Sequence, residues 1–276
     1  MKKLLISIIT ILTLLLSTLV YSRFIGTIGL ITNEIPLTTN NIKNSYNGLK
    51  IVHFSDIHYK KIITNKRVKQ LINEINKIKP DIVLFTGDLL DKHYDLNNKD
   101  INFLIKELSK INSTYGNYAI IGDNDKEIDE LKNIYIQSNF ILLNNEETII
   151  YNSNNDKLSL IGINSLSYNK ENIKKLLEKT DKDSYKIILI HEPDYIKDFT
   201  NKNIDLILSG HSINGSINIP LIKNVLLPKG AKNYYNPHYI INNTNIYISN
   251  GIGVNNINFR LFNHPSINFY RIKTNN

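Results

Sequence analysis

The chain has 276 residues, no cysteine, and a formal charge of +8 from 33 Lys and Arg against 25 Asp and Glu. Without cysteine there are neither disulfides nor thiolate metal sites, so any bound metal must take oxygen and nitrogen ligands. The basic balance suits nucleic acid or an anionic membrane, yet the basic residues scatter without interleaved aromatics, and no nucleic-acid partner is expected.

Lys, Asn and Ile dominate throughout, as strong AT-rich coding bias would produce. One modest basic cluster, Lys60-Lys61 with Lys66, Arg67 and Lys69, reads as a solvated helix face, with attraction of an anionic substrate as the alternative. At the N-terminus, Lys2-Lys3 precede an uncharged stretch from Leu4 to Ser22, interrupted only by hydroxyl residues and closed by Arg23. A helix of about 19 residues rises roughly 28 Å, close to one hydrocarbon core. Residues 1–23 therefore read as a retained transmembrane signal anchor. The rival is a cleaved signal peptide, whose apolar region is usually shorter and whose cleavage site would be Val20-Tyr21-Ser22. Lys2 and Lys3 place the N-terminus inside and the rest of the chain outside the cytoplasmic membrane, either anchored by a single pass or secreted after cleavage.

Residues 24–47 form a lead-in without strong periodicity, apart from one apolar-polar alternation between Gly29 and Pro36, and a single domain is read over residues 48–276. A strand over Lys50–Ser55 precedes a helix starting near Asn65, whose Val68, Leu71, Ile72, Ile75 and Ile78 recur at helical spacing until Pro80. The strand Asp81–Thr86, a helix around Ile101–Ile111 and the strand Tyr118–Ile121 continue a strand–helix–strand rhythm typical of βαβ units. A helix carrying Ile128, Leu131 and Ile134 leads to short strands at Ile141–Leu143, Thr148–Tyr151 and Leu158–Ile163. A helix at Asn172–Lys179 and strands at Tyr185–Ile190 and Ile204–Leu208 follow, then a mainly β region with strands at Ile217–Ile222, Tyr239–Ile241, Asn245–Ser249 and Ile267–Ile272. The pattern predicts an α/β fold with two packed sheets and helices outside.

Four short blocks and one histidine stand where apolar strands end: Ser55-Asp56-Ile57-His58, Gly87-Asp88-Leu89-Leu90-Asp91, Gly122-Asp123-Asn124-Asp125, His191, and Gly210-His211-Ser212-Ile213. In open α/β sheets ligands collect beyond the carboxyl ends of strands. Carboxylates and imidazoles converging there suit divalent metals. Each block alone is weak: Asp-x-His occurs by chance, Gly-Asp-x-x-Asp is commonly a turn with a cap, and a lone histidine after a strand usually hydrogen-bonds structurally. Their order and shared strand context carry the signal.

The ordered set resembles the calcineurin-like metallophosphoesterase superfamily, whose signature runs D-x-H, G-D-x-x-D, G-N-H-(D/E), H, G-H-x-H. The stretch Asn47–Asp56 and the tail Ile246–Gly253, with Arg260 and Pro265, look like a membrane-anchored bacterial branch that includes phosphodiesterases related to UDP-2,3-diacylglucosamine hydrolases. The resemblance implies a four-layer α/β/β/α sandwich behind the N-terminal transmembrane helix, and two divalent cations drawn from Mn, Zn or Fe. By that resemblance Asp56 and His58 hold the first metal, Asp88 bridges both, and Asp123, His191 and His211 hold the second. Asp91 and Asp125 orient ligands, and a metal-bridging hydroxide attacks phosphorus.

Three positions depart from the family pattern. Asp123 replaces an asparagine ligand, adding charge that should tighten the second metal and soften its acidity. Asn124 stands at the catalytic histidine that protonates the leaving oxygen; an amide cannot do so, at a cost of roughly 10²–10⁴-fold with poor leaving groups. Ile213 replaces a histidine ligand of the first metal, leaving three protein ligands with water or Asn214 to fill in. The sequence thus predicts a metal-dependent phosphoesterase acting on a phosphodiester or pyrophosphate at the cell surface, and a lipid-linked substrate fits the anchor. The alternative is a catalytically weakened or inactive binding protein on the same fold.

Overall fold

Strand side chains alternate between faces, and here the two faces of each central strand enter different cores. The computed structural model describes residues 1–91, 95–125, 129–200, 202–219, 226–255 and 257–274. Among these, twelve strands form two sheets of six. The first runs, in spatial order, β1 (Ile31–Thr39), β12 (Ser266–Thr274), β2 (Lys50–Phe54), β3 (Ile82–Phe85), β4 (Asn117–Ala119) and β5 (Phe140–Leu142). The second runs β10 (His238–Ile241), β11 (Thr244–Ile248), β9 (Leu206–Ser209), β8 (Tyr185–Ile190), β7 (Lys157–Gly162) and β6 (Glu146–Tyr151).

On β3, Ile82 and Leu84 face the second sheet, where they meet the core formed by Leu160, Ile187, Leu189 and Leu208. Val83 and Phe85 face the other way, into helices α2 (Asn65–Ile78), α3 (Asn98–Leu108) and α4 (Asp129–Gln137). On β8, Tyr185, Ile187 and Leu189 point inward, while Ile188 and Ile190 pack with Ile173 of α5 (Lys170–Lys179). The result is the expected α/β/β/α sandwich. A strand buried on both faces has no polar side to show, which is why β3 and β8 read as continuous apolar runs. Strands β2 to β5 pair in parallel, as the crossovers through α2, α3 and α4 require. Buried Val68, Leu71, Ile72 and Ile75 seat α2, each worth about 1.5–3 kcal/mol over exposure. Lys79 ends that helix in the left-handed region ahead of Pro80.

The lead-in differs from its plain reading. Residues 31–39 form β1, an edge strand that pairs in parallel with β12 and so adds the lead-in to the first sheet. In the region read as the strand Ile217–Ile222, Ile217 makes only an isolated bridge to Leu261, and residues 220–222 lie outside the described residues, as does Ile128.

Helix α1 (Lys2–Val20) has no buried residue and continues through a further turn to Ile25, giving one helical stretch of 24 residues apolar and long enough to cross a membrane. Its far end is tied to the domain. The Arg260 amide donates to the Ser22 carbonyl at 2.9 Å, and Arg67 Nη1 donates to the Thr27 carbonyl at 3.0 Å.

Candidate metal centre

Each candidate residue sits just past a strand, and the two sheets bring those strand ends together. Asp56 and His58 follow β2, Asp88 follows β3, Asp123 follows β4, His191 follows β8, and His211 follows β9. The loops approach so closely that glycine is needed at the contacts. A Cβ on Gly122 would fall on Asp88 Oδ1, and one on Gly210 would fall on Ser55 Oγ. Asp56, His58, Asp88 and His211 all have positive φ, between 45° and 62°. Left-handed backbone is costly for residues with a side chain and clusters at functional sites.

Two groups result, sharing one carboxylate. Asp56, His58 and Asp88 form the first; Asp88, Asp123, His191 and His211 form the second, with ligand atoms in each within 4.8 Å of one another. His58 Nε2 lies 3.7 Å from Asp56 Oδ1 and 3.6 Å from Asp88 Oδ2. His191 Nε2 lies 3.2 Å from Asp88 Oδ2 and 3.1 Å from Asp123 Oδ1, and His211 Nδ1 lies 2.9 Å from the same Asp123 oxygen. All are buried except Asp123.

The opposite ring nitrogens settle the tautomers. His191 Nδ1–H donates to the Thr86 carbonyl at 2.6 Å, and His211 Nε2–H donates to the Lys229 carbonyl at 2.7 Å. The nitrogens aimed at the carboxylates thus carry lone pairs when the rings are neutral, as metal-binding histidines do. Both ring nitrogens of His58, His191 Nε2, His211 Nδ1 and Asp56 Oδ1 are buried without a hydrogen-bond partner. A buried polar atom left unpaired is costly, and lone pairs facing carboxylate oxygens repel unless a cation lies between them. These donors fit a divalent metal.

The electrostatics say the same. Burial disfavours charge on His191, but the Asp88 and Asp123 carboxylates outweigh it and hold the imidazole well above its ordinary range. Burial likewise opposes ionisation of Asp123, while His191 and His211 override it and lower its pKa. Burial, then the neighbouring Asp88 charge, raise Asp125 to about 7.

The supporting residues lie around these groups. Asp125 accepts from the amides of Asp88 (2.8 Å), Leu89 (2.9 Å) and Gly122 (3.0 Å), lacing two loops together. Asp91 instead meets Lys61 at 3.2 Å. Asn124 donates its backbone N–H to Asp88 Oδ1 at 2.9 Å and its side-chain amide to Asp88 Oδ2 at 2.6 Å. Ile213 is buried at φ 43°, an outlier for a β-branched residue. A Cβ on Gly251 would touch both Ile213 Cγ2 and Asp56 Cβ, which puts Ile213 beside the first group.

Arg260 has a role that its position in the sequence does not reveal. Fully buried, it donates to the carbonyls of Asn250 (2.8 Å), Gly251 (3.1 Å) and Gly253 (2.9 Å from Nε), while the Gly253 amide donates to the Asp56 carbonyl at 2.7 Å. Asn263 similarly ties the carbonyls of Ile213 and Gly215. A lone arginine and an asparagine near the C-terminus give no local pattern to read.

The profile of the calcineurin-like phosphoesterase family matches residues 49–214, from just before the first block to just past the last. This chain belongs to that family. It is a metal-dependent phosphoesterase by membership, with a cluster of donors that fits the metals the family uses. The metallophosphoesterase YkuE of Bacillus subtilis (strain 168) is 27% identical over 259 residues, covering 93% of this chain and 90% of YkuE. The phosphodiesterase YaeI of Escherichia coli (strain K12) is 24% identical, covering 76% of this chain and 77% of its own length. A transmembrane protein with metallophosphoesterase domain from Bos taurus is 26% identical and spans 86% of this chain, which covers 55% of the bovine protein. The bovine protein's name marks it as transmembrane; this chain carries one N-terminal helix of 24 residues, long and apolar enough to cross a membrane.

Proposed function

We propose that this protein hydrolyses a phosphodiester or pyrophosphate using two divalent cations, one at each donor group. The carrying observation is Asp88 shared between two donor groups in which the imidazole nitrogens of His58, His191 and His211 that face the carboxylates, and Asp56 Oδ1, are buried without a hydrogen-bond partner. Asp56, His58 and Asp88 would hold the first cation, and Asp88, Asp123, His191 and His211 the second. When bound, such cations supply Lewis acidity to the phosphoryl oxygens and an activated water. Imidazole and carboxylate donors suit Mn, Zn or Fe.

The residues of this chain do the positioning. The carbonyls of Thr86 and Lys229 keep His191 and His211 in the ligating tautomer. Asp125 holds the Asp88 and Gly122 amides in place, which fixes the carboxylate the two donor groups share. Asn124 fixes Asp88 by two hydrogen bonds; its amide can donate a hydrogen bond to a leaving oxygen but no proton. The leaving group must therefore depart with little protonation, as from a pyrophosphate or an activated diester. The anchor, with Lys2 and Lys3 inside, would set the domain at the outer membrane face, where a lipid-linked phosphoester is within reach.

The test uses the full chain in non-ionic detergent with a bis-aryl phosphate of activated phenol and added Mn²⁺. Turnover is expected, with Asp88→Asn reducing it to background. Equal rates in both proteins, with less than one metal per chain, would return the protein to the class of non-catalytic binders.

A further inference from the structure

Outside the metal centre, a cavity of about 490 Å³ lies between the end of the membrane helix and the loop after the first metal block. Arg23, Thr27, Lys60, Lys61, Lys66 and Arg67 line it. Lys60 and Lys61 are neutralised by Asp100 (2.9 Å) and Asp91 (3.2 Å), but Arg23, Lys66 and Arg67 have no acidic partner among the described residues. Burial, then the adjacent Arg23 charge, depress the Arg67 guanidinium, so like charges crowd here. Lys60, Lys66 and Lys69 are exposed, as on a solvated face, while Arg67 is turned back onto Thr27 and half-buried.

The height of the cavity is set by the anchor. Arg23 lies 20 residues beyond Lys3, and at 1.5 Å per residue that is about 30 Å, one hydrocarbon thickness. Phe24, Ile25, Ile28 and Ile31 stay exposed around it, so apolar surface continues from the helix to the rim. We propose that this cavity binds the phosphate-bearing headgroup of an anionic phospholipid, seating the catalytic domain against the bilayer. Two observations converge on that occupant: unneutralised guanidinium and ammonium groups facing an open cavity, and a position level with the headgroups beside exposed apolar side chains. The inference does not depend on the hydrolytic activity proposed above.

The test is binding to the full chain in non-ionic detergent, read by native mass spectrometry with dihexanoyl-phosphatidylglycerol, dihexanoyl-phosphatidylcholine and inorganic phosphate as separate probes. The glycerol lipid is expected to bind saturably and the choline lipid more weakly, and excess inorganic phosphate should fail to displace the glycerol lipid. Removing two interfacial charges in Arg23→Gln/Lys66→Gln should weaken phosphatidylglycerol binding about 30-fold, from roughly 1 kcal/mol per basic residue. If the double variant melts early, Lys66→Gln alone is read, since Lys66 is exposed, with about a fivefold loss expected. Equal binding of both lipids, unchanged binding in the variant that folds, or displacement by phosphate would each overturn the proposal.

Discussion

Replacing Asn124 by histidine should change the substrate range of the enzyme in a specific direction. In the structure the Asn124 amide is 2.6 Å from Asp88 Oδ2 and 3.3 Å from Asp123 Oδ1, at the partly exposed side of the second donor group. An imidazole there keeps a donor near Asp88 and adds a proton that can pass to a leaving oxygen. General acid catalysis contributes about 10²–10⁴-fold, equivalent to roughly 3–5 kcal/mol of barrier. That gain applies only when the leaving group needs the proton. The assay compares kcat/KM of the wild type and Asn124→His for two diesters, one with an activated phenol and one with an alkyl alcohol leaving group. The alkyl ester should gain at least about tenfold more than the aryl ester. The Asn124→Ala protein should gain on neither, because it only loses a charge-assisted hydrogen bond worth about 1.5–3 kcal/mol. Equal factors on both esters would refute the assignment of position 124 to the leaving-group side.

Three further outcomes follow from named contacts. Arg260→Met should cost about 2–4 kcal/mol in urea denaturation, because the carbonyls of Asn250, Gly251 and Gly253 lose their donor, and it should lower occupancy of the first metal by loosening the loop that holds Asp56. Ile213→His adds an imidazole beside Asp56 at a backbone angle that histidine tolerates better than isoleucine, so half-activation should need less Mn²⁺; an unchanged requirement would mean that position 213 does not reach the metal. Burial pulls the His53 imidazole down to about 3 from an ordinary value of 6.5. Between those values the unfolded chain binds the extra proton, so this contribution to stability is whole above pH 6.5 and falls as pH drops towards 3, by roughly 2 kcal/mol at pH 5. Metal-free wild type and His53→Gln should therefore differ in the slope of stability against pH between 6.5 and 5, and parallel slopes would contradict the buried neutral imidazole.

The sandwich was legible because its central strands, such as β3 and β8, are buried on both faces, and because α2 carries an unbroken apolar stripe ending at Pro80. The donor blocks were legible because each follows such a strand directly. The edge strand β1 was not. Strand β1 alternates polar and apolar residues, carries Pro36 and is largely exposed; edge strands owe their place to the neighbour that pairs with them, here β12, more than 220 residues away in sequence. Asn263, and the role of Arg260, which was named only as part of the C-terminal tail, escaped for a related reason, since both act by hydrogen-bonding carbonyls of loops that only the folded chain brings near. The basic cluster at residues 60–69 was legible as a largely solvent-facing one, with Lys60, Lys66 and Lys69 exposed; the half-buried place of Arg67 was not, because nothing local showed its hydrogen bond to the Thr27 carbonyl.

The two-metal claim is tested most directly by anomalous scattering from crystals of the full chain grown with Mn²⁺. Two peaks are expected, one within ligand distance of Asp56, His58 and Asp88, the other within reach of Asp88, Asp123, His191 and His211, and both should vanish or fall steeply in Asp88→Asn crystals. A single peak away from Asp88, or an Asp88→Asn map that keeps both ions unchanged, would contradict the shared carboxylate on which this account rests.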